Sequence, residues 1–151
     1  MTVVCRGFQV IITQLFYDVE VFDQFVQDCK AYDIHAPILP GIMIIQAYGG
    51  FKRMSGFCMT RVPDALAKRM EELKDDAEGV KAFGIEYGAE LCRQLLDRGL
   101  CKGLHFYTLN LEKSTQAIMS KLGLLKGELA VGKAENENTF QGTLIDTVIK
   151  P

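Results

Sequence analysis

The chain has 151 residues, 48% hydrophobic and 24% charged, a length that lets one domain bury roughly 70% of its unfolded surface and a composition too apolar for disorder. Its formal net charge of -2 excludes a basic groove for nucleic acid, which needs a cationic excess on one face. Met1 to Gly7 lacks the basic start, apolar centre and cleavage site of a secretory leader, and no apolar run reaches the ~20 residues of a membrane span, so no membrane partner is expected and the expected location is the cytosol.

Val10 to Phe16 is short, β-branched and nearly all apolar, the pattern of a strand buried on both faces. Asp18 then suits a helix cap, and Val21, Phe22, Phe25, Val26 and Cys29 recur at helical spacing to about Tyr32. Ala36 to Met43 is the second strand candidate, its two prolines tolerable at the entry and exit of a strand. Helices are expected over about 46–58, from Pro63 to about Lys74, and from about Asp76 to Arg98, where Gly99 can end the last. The apolar stripe of that long helix is Val80, Phe83, Tyr87, Leu91 and Leu95.

Gly103 to Leu109 is the third strand candidate, Asn110 the cap of a helix over 112–122, and Gly123 its stop. Strands separated by helices imply an α/β fold with a parallel sheet. From Lys126 the style changes to a polar, Glu-, Asn- and Gly-rich tail with one weak strand candidate, Thr143 to Ile149, and a loosely attached segment is expected there.

In parallel α/β folds ligands gather at the carboxyl ends of the strands, which selects Gln14, the stretch from Pro40 to Ile44, and Tyr107 to Asn110. A carboxamide in an apolar strand carries donors and an acceptor that need partners. Gln14 either reads the matching edge of an amide, pterin or nicotinamide, or is bonded to neighbouring backbone. Tyr107 is either an aromatic wall for a flat ligand or a core ring with its hydroxyl tied down. Pro40-Gly41 is explained by close backbone approach without any catalytic role. The cluster Lys68, Arg69, Glu71, Glu72, Lys74, Asp75 and Asp76 suits a solvated helix face.

Five scattered cysteines without a C-x-x-C pair, and only two histidines, His35 and His105, suggest reduced buried thiols and no metal site. The phosphate-loop, dinucleotide-fingerprint, zinc-hydrolase and serine-elbow motifs are absent from the sequence. No carboxylate pair falls at a strand end, so no catalytic residue is assigned to this chain.

The segments Ile11-Ile12-Thr13-Gln14-Leu15-Phe16-Tyr17, Pro37-Ile38-Leu39-Pro40-Gly41-Ile42 and Leu104-His105-Phe106-Tyr107-Thr108-Leu109-Asn110 together resemble the methylenetetrahydrofolate reductases. Phe51 to Cys58 with Val62-Pro63, and Gly84-Ile85-Glu86, resemble the plant-type eukaryotic members. The resemblance runs from about Gly7 to Leu125. It implies a (β/α)8 TIM barrel with FAD across the carboxyl ends of the strands, of which this chain would supply the last three βα units. Family members pass a hydride from NADH or NADPH to FAD, then reduce methylenetetrahydrofolate to methyltetrahydrofolate, the cofactor carrying the redox chemistry.

Carried over by position, the resemblance makes Gln14 the glutamine that contacts folate or nicotinamide above the flavin, and Tyr107 a tyrosine lining the same pocket. Leu111 stands where many members have Arg, Ile44 replaces a common proline, and Phe8-Gln9 replaces a small-acidic pair. The family's catalytic glutamate and main flavin-binding residues belong to the first five βα units, which have no counterpart here, so the FAD-binding residues of this chain are unknown. The resulting expectation is a carboxyl-terminal part of the catalytic barrel over 7–125 with a divergent tail over 126–151, inactive by itself in one-carbon metabolism. The alternative is a non-enzymatic half-barrel that pairs with itself, as a homo-oligomer, or with a full-length subunit.

Overall fold

The computed structural model describes residues 10–109 and 112–124. Over these the chain is α/β: strands β1 (Ile11–Leu15), β2 (Ile38–Ile42) and β3 (His105–Phe106), with helices α1 (Val19–Ala31), α2 (Tyr48–Phe57), α3 (Asp64–Glu72), α4 (Ala77–Asp97) and α5 (Glu112–Lys121). The strands form one parallel sheet in the order β1-β2-β3. Ile11 faces Ile38, Ile12 faces Leu39 and Leu15 faces Gly41, while Gly41 and Ile42 face His105 and Phe106. Between Ile12 and Leu15 the register shifts by one residue, the mark of a β-bulge. No described helix is long and apolar enough to cross a membrane.

The helices begin and end where local chemistry dictates. The Asp18 carboxylate accepts from the Glu20 N–H at 3.0 Å and caps α1; Asp76 accepts from the Gly79 N–H at 2.9 Å and caps α4. Gly99 and Gly123 follow α4 and α5 with φ of 63° and 67°, left-handed positions that glycine fills without a Cβ penalty. Pro63 stands one place before α3, at the cap rather than inside the first turn.

Two apolar cores flank α4. One joins Phe16, Phe22, Val26 and Ile42 to Leu95 and Ile118, filling the space between β2 and the layer of α1, α4 and α5. Phe16 and Phe22 stack there with centroids 5.2 Å apart. The other joins Leu15, Tyr17 and Ile45 to Phe51, Leu66, Met70 and Val80, seating α2 and α3 on the carboxyl end of the sheet. The predicted stripe of α4 is therefore divided: Val80, Phe83 and Tyr87 serve the second core, Leu91 and Leu95 the first. Gly84 brings α4 against the loop after β2, since a Cβ there would collide with the Ile45 carbonyl.

Two strand expectations need correction. β1 is not buried on both faces: Ile12 is 40% exposed and Gln14 is exposed, because α1 covers one face only and no described strand pairs with its outer edge. The third strand is two residues long rather than seven; after Tyr107 donates its N–H to the Ile42 carbonyl at 2.8 Å the chain turns away, with Leu109 at φ 48°. Asn110, Leu111, the segment before Val10 and the tail with Thr143 to Ile149 lie outside the described residues. The charge cluster around α3 is solvent-exposed as expected, with Arg69–Glu72 and Lys74–Glu71 pairs on its surface.

Candidate functional site

The carboxyl ends of the three strands present Gln14, the stretch after Ile42, and Tyr107 on one side of the molecule. Gln14 is held by its own backbone: its Oε1 accepts the Leu15 N–H at 3.0 Å. That bond fixes which end of the amide faces inward and leaves the Nε2 hydrogens as donors. Gln14 lines a cleft of about 590 Å³ with Ile12, Phe25, Met59 and Arg61, along the outer edge of β1.

Tyr107 crosses the sheet. Its hydroxyl donates to the Thr13 carbonyl at 2.9 Å, and its ring lies over Gly41, where a Cβ would meet the Thr13 carbonyl and stand 2.7 Å from Tyr107 Cε2. The Gly41 N–H in turn donates to Thr13 Oγ1 at 3.0 Å. Pro40-Gly41 is thus a close-approach device, as the sequence suggested, and Tyr107 has its hydroxyl tied down while one side of its ring packs edge-on against His105, 4.8 Å between centroids. Tyr107 and Gln14 meet through Thr13.

The sequence pattern singles out Gln14 and Tyr107 but passes over Thr13, Gln46 and Ser114. Ser114, buried in the first turn of α5, donates to Gln46 Oε1 at 3.1 Å and ties that helix to the loop after β2. The only local signal was a hydroxyl or amide at a helix or strand end, which is too common to select them. Thr60 Oγ1 donates to the Leu15 carbonyl at 3.2 Å, closing the end of β1 from the loop after α2.

The titratable groups beside the strand ends are engaged within the fold. Asp18, which follows β1, is occupied as the α1 cap and by Arg61 at 3.6 Å. Burial pushes the Tyr17 hydroxyl up to about 12, so it stays protonated across the physiological range. Tyr87 is raised by the same cause while donating to the Tyr17 carbonyl at 2.6 Å. Among the described residues no three His, Cys, Asp or Glu side chains converge as a metal site.

The recess at the strand ends between Tyr17, Gln46, Phe51, Arg53 and Leu109 holds about 130 Å³, less than the cleft beside Gln14.

The family model described as methylenetetrahydrofolate reductase matches residues 3–123. The chain is 50% identical over 120 residues to a probable methylenetetrahydrofolate reductase (NADH) of Oryza sativa, covering 80% of this chain and 20% of that protein. It is 48% identical over 119 residues to methylenetetrahydrofolate reductase (NADH) 1 of Arabidopsis thaliana, with 79% and 20% covered. It is 34% identical over 116 residues to the 5,10-methylenetetrahydrofolate reductase of Escherichia coli, with 77% and 39% covered. The chain thus spans about a fifth of the length of its plant relatives, and it belongs to the methylenetetrahydrofolate reductase family.

Proposed function

We propose that this chain supplies the substrate-facing wall of a methylenetetrahydrofolate reductase, as the last three βα units of a (β/α)8 catalytic barrel over 7–125, in the cytosol. The carrying observation is that the family match falls on the residues that form three parallel strands and place Gln14 and Tyr107 at their carboxyl ends. In this reading Gln14 offers its amide hydrogens to an acceptor on folate or nicotinamide, and Tyr107 forms part of the wall beside it. The reduction of methylenetetrahydrofolate by NADH or NADPH through FAD belongs to the completed barrel. The companion statement is that the chain alone neither retains FAD nor turns over.

The test is the visible spectrum of the purified chain after incubation with FAD and removal of free flavin. No retained flavin is expected from the chain alone. Retention is expected when it is mixed with the preceding barrel segment of a plant relative, together with flavin bleaching by NADH. Bleaching by the chain alone would sink the claim of inactivity; a folded mixture that binds no flavin would sink the barrel reading.

A second reading is favoured by one observation. Val10, Ile12, Val21 and Phe25 are exposed along the outer edge of β1 and α1, a strip suited to a half-barrel that pairs with another copy or with a full-length subunit. Under it, sedimentation gives a defined oligomer, and Gln14→Leu changes no activity of a full-length partner.

A further inference from the structure

We propose that Tyr107 is a positioning residue: by donating its hydroxyl to the Thr13 carbonyl across Gly41, it holds open the β1 bulge that presents Gln14 at the strand ends. The proposal rests on the reading that Gln14 faces the substrate, and it assigns Tyr107 a task that the wall role does not require.

The bulge is accompanied by three hydrogen bonds that involve a side chain. From Ile12–Leu39 to Leu15–Gly41, β1 advances three residues while β2 advances two, so Thr13 and Gln14 have no register partner. The Gly41 N–H donates to the Thr13 hydroxyl at 3.0 Å. The Leu15 N–H is taken by the Gln14 side chain. The Thr13 carbonyl, displaced from the ladder, is satisfied by Tyr107, 94 residues away in sequence. Pro40 removes a further donor from this stretch of β2, and the absence of a side chain at Gly41 is what lets the tyrosine ring pass.

A part-buried carbonyl deprived of its donor is costly. Without the Tyr107 hydroxyl, the available remedy is for the Gly41 N–H to turn to the Thr13 carbonyl and the bulge to close. Closing it shifts β1 by one residue beyond Ile12, which turns the Leu15 N–H toward β2 and away from Gln14 Oε1. The Gln14 carboxamide would then lose the bond that orients it. A hydroxyl on β3's exit thus governs the orientation of an amide two strands away.

The experiment uses the full chain labelled with ¹⁵N. Tyr107→Phe keeps the ring and removes only the hydroxyl. The Gln14 side-chain NH2, Leu15 and Gly41 resonances are expected to move, and the Leu15 and Gly41 amides to exchange about fivefold faster, the scale of one neutral hydrogen bond. The ladder at Ile11 and Leu39 should stay unchanged. Thr13→Val, which removes the hydroxyl acceptor, should move the same three resonances, and the double variant should move them no further than the larger single one. A folded Tyr107→Phe chain with Gln14 and Leu15 unmoved overturns the proposal, as do additive shifts in the double variant. Should either variant unfold, the hydroxyl proton of Tyr107 in the unaltered chain decides: slow exchange supports the bond, and rapid exchange with water overturns it. Titration of the unaltered chain with NADH or folate tests the ligand reading separately, because Gln14 can fail to respond to either while still responding to Tyr107→Phe.

Discussion

Helix α1 has two apolar faces with opposite fates. Phe22 is 2% exposed, stacked on Phe16 and enclosed by β2 and α4, whereas Phe25, three residues on, is 41% exposed beside Val21 and Ile12. The residue type and the helix are the same; only one side has a neighbour. Apolar periodicity therefore marks what a helix is able to bury, and the number of surrounding elements decides what it does bury.

The largest test of that contrast is a matched pair. Phe22→Ala should cost about 3–5 kcal/mol in denaturant unfolding, through lost burial and a cavity that α4 cannot fill. Phe25→Ala should cost about 1 kcal/mol or less, since much of the ring already meets water. An equal loss at both positions would mean that the outer edge is covered in solution, which would favour the pairing reading.

A second pair compares closed and open glycine sites. Gly84→Ala drives a methyl into the Ile45 carbonyl and should destabilise by about 1–3 kcal/mol, as overpacking does. Gly49→Ala meets nothing within 4 Å and should stabilise by about 0.5 kcal/mol through helix propensity. Urea midpoints moving in the same direction would break the distinction.

The smallest effect concerns the ion pairs that fasten the closed side. Arg98 on the end of α4 donates to Glu20 at 2.7 Å and to Asp23 at 2.6 Å on α1. Its hydrogen bond, and then its charge, hold Glu20 below the ordinary carboxylate value. A lowered folded-state pKa contributes stability that is present above the unfolded carboxylate value and lost as pH falls through the folded one. Acid titration of the urea midpoint should therefore fall less steeply in Arg98→Met than in the unaltered chain, and the difference should shrink in high salt because the pair is exposed. Parallel titration curves would remove Arg98 from the account.

Much of the fold was legible because its signals are local. Asp18 and Asp76 announced helix starts, Gly99 and Gly123 announced ends, and the run from Ile11 to Leu15 announced a strand. Gln14 stood out for the same reason, a polar group in an apolar run. Thr13, Gln46 and Ser114 did not, because their partners lie 28 to 94 residues away and leave no trace in neighbouring sequence. Tyr107 was visible as a residue but not as a bond: whether its hydroxyl faced a ligand or a carbonyl depended on where β1 ran.

What the sequence determined by itself is the α/β order, the helix limits and, through its motifs, the family. Those follow from capping, periodicity and identity, which are properties of short windows. Only the tertiary structure decided that β1 has an exposed outer edge, that β3 is two residues long, and that the Tyr107 hydroxyl reaches across Gly41 to the Thr13 carbonyl. Each of these depends on which backbone groups find partners on other strands, and hydrogen bonds between distant segments exist only once the chain has packed.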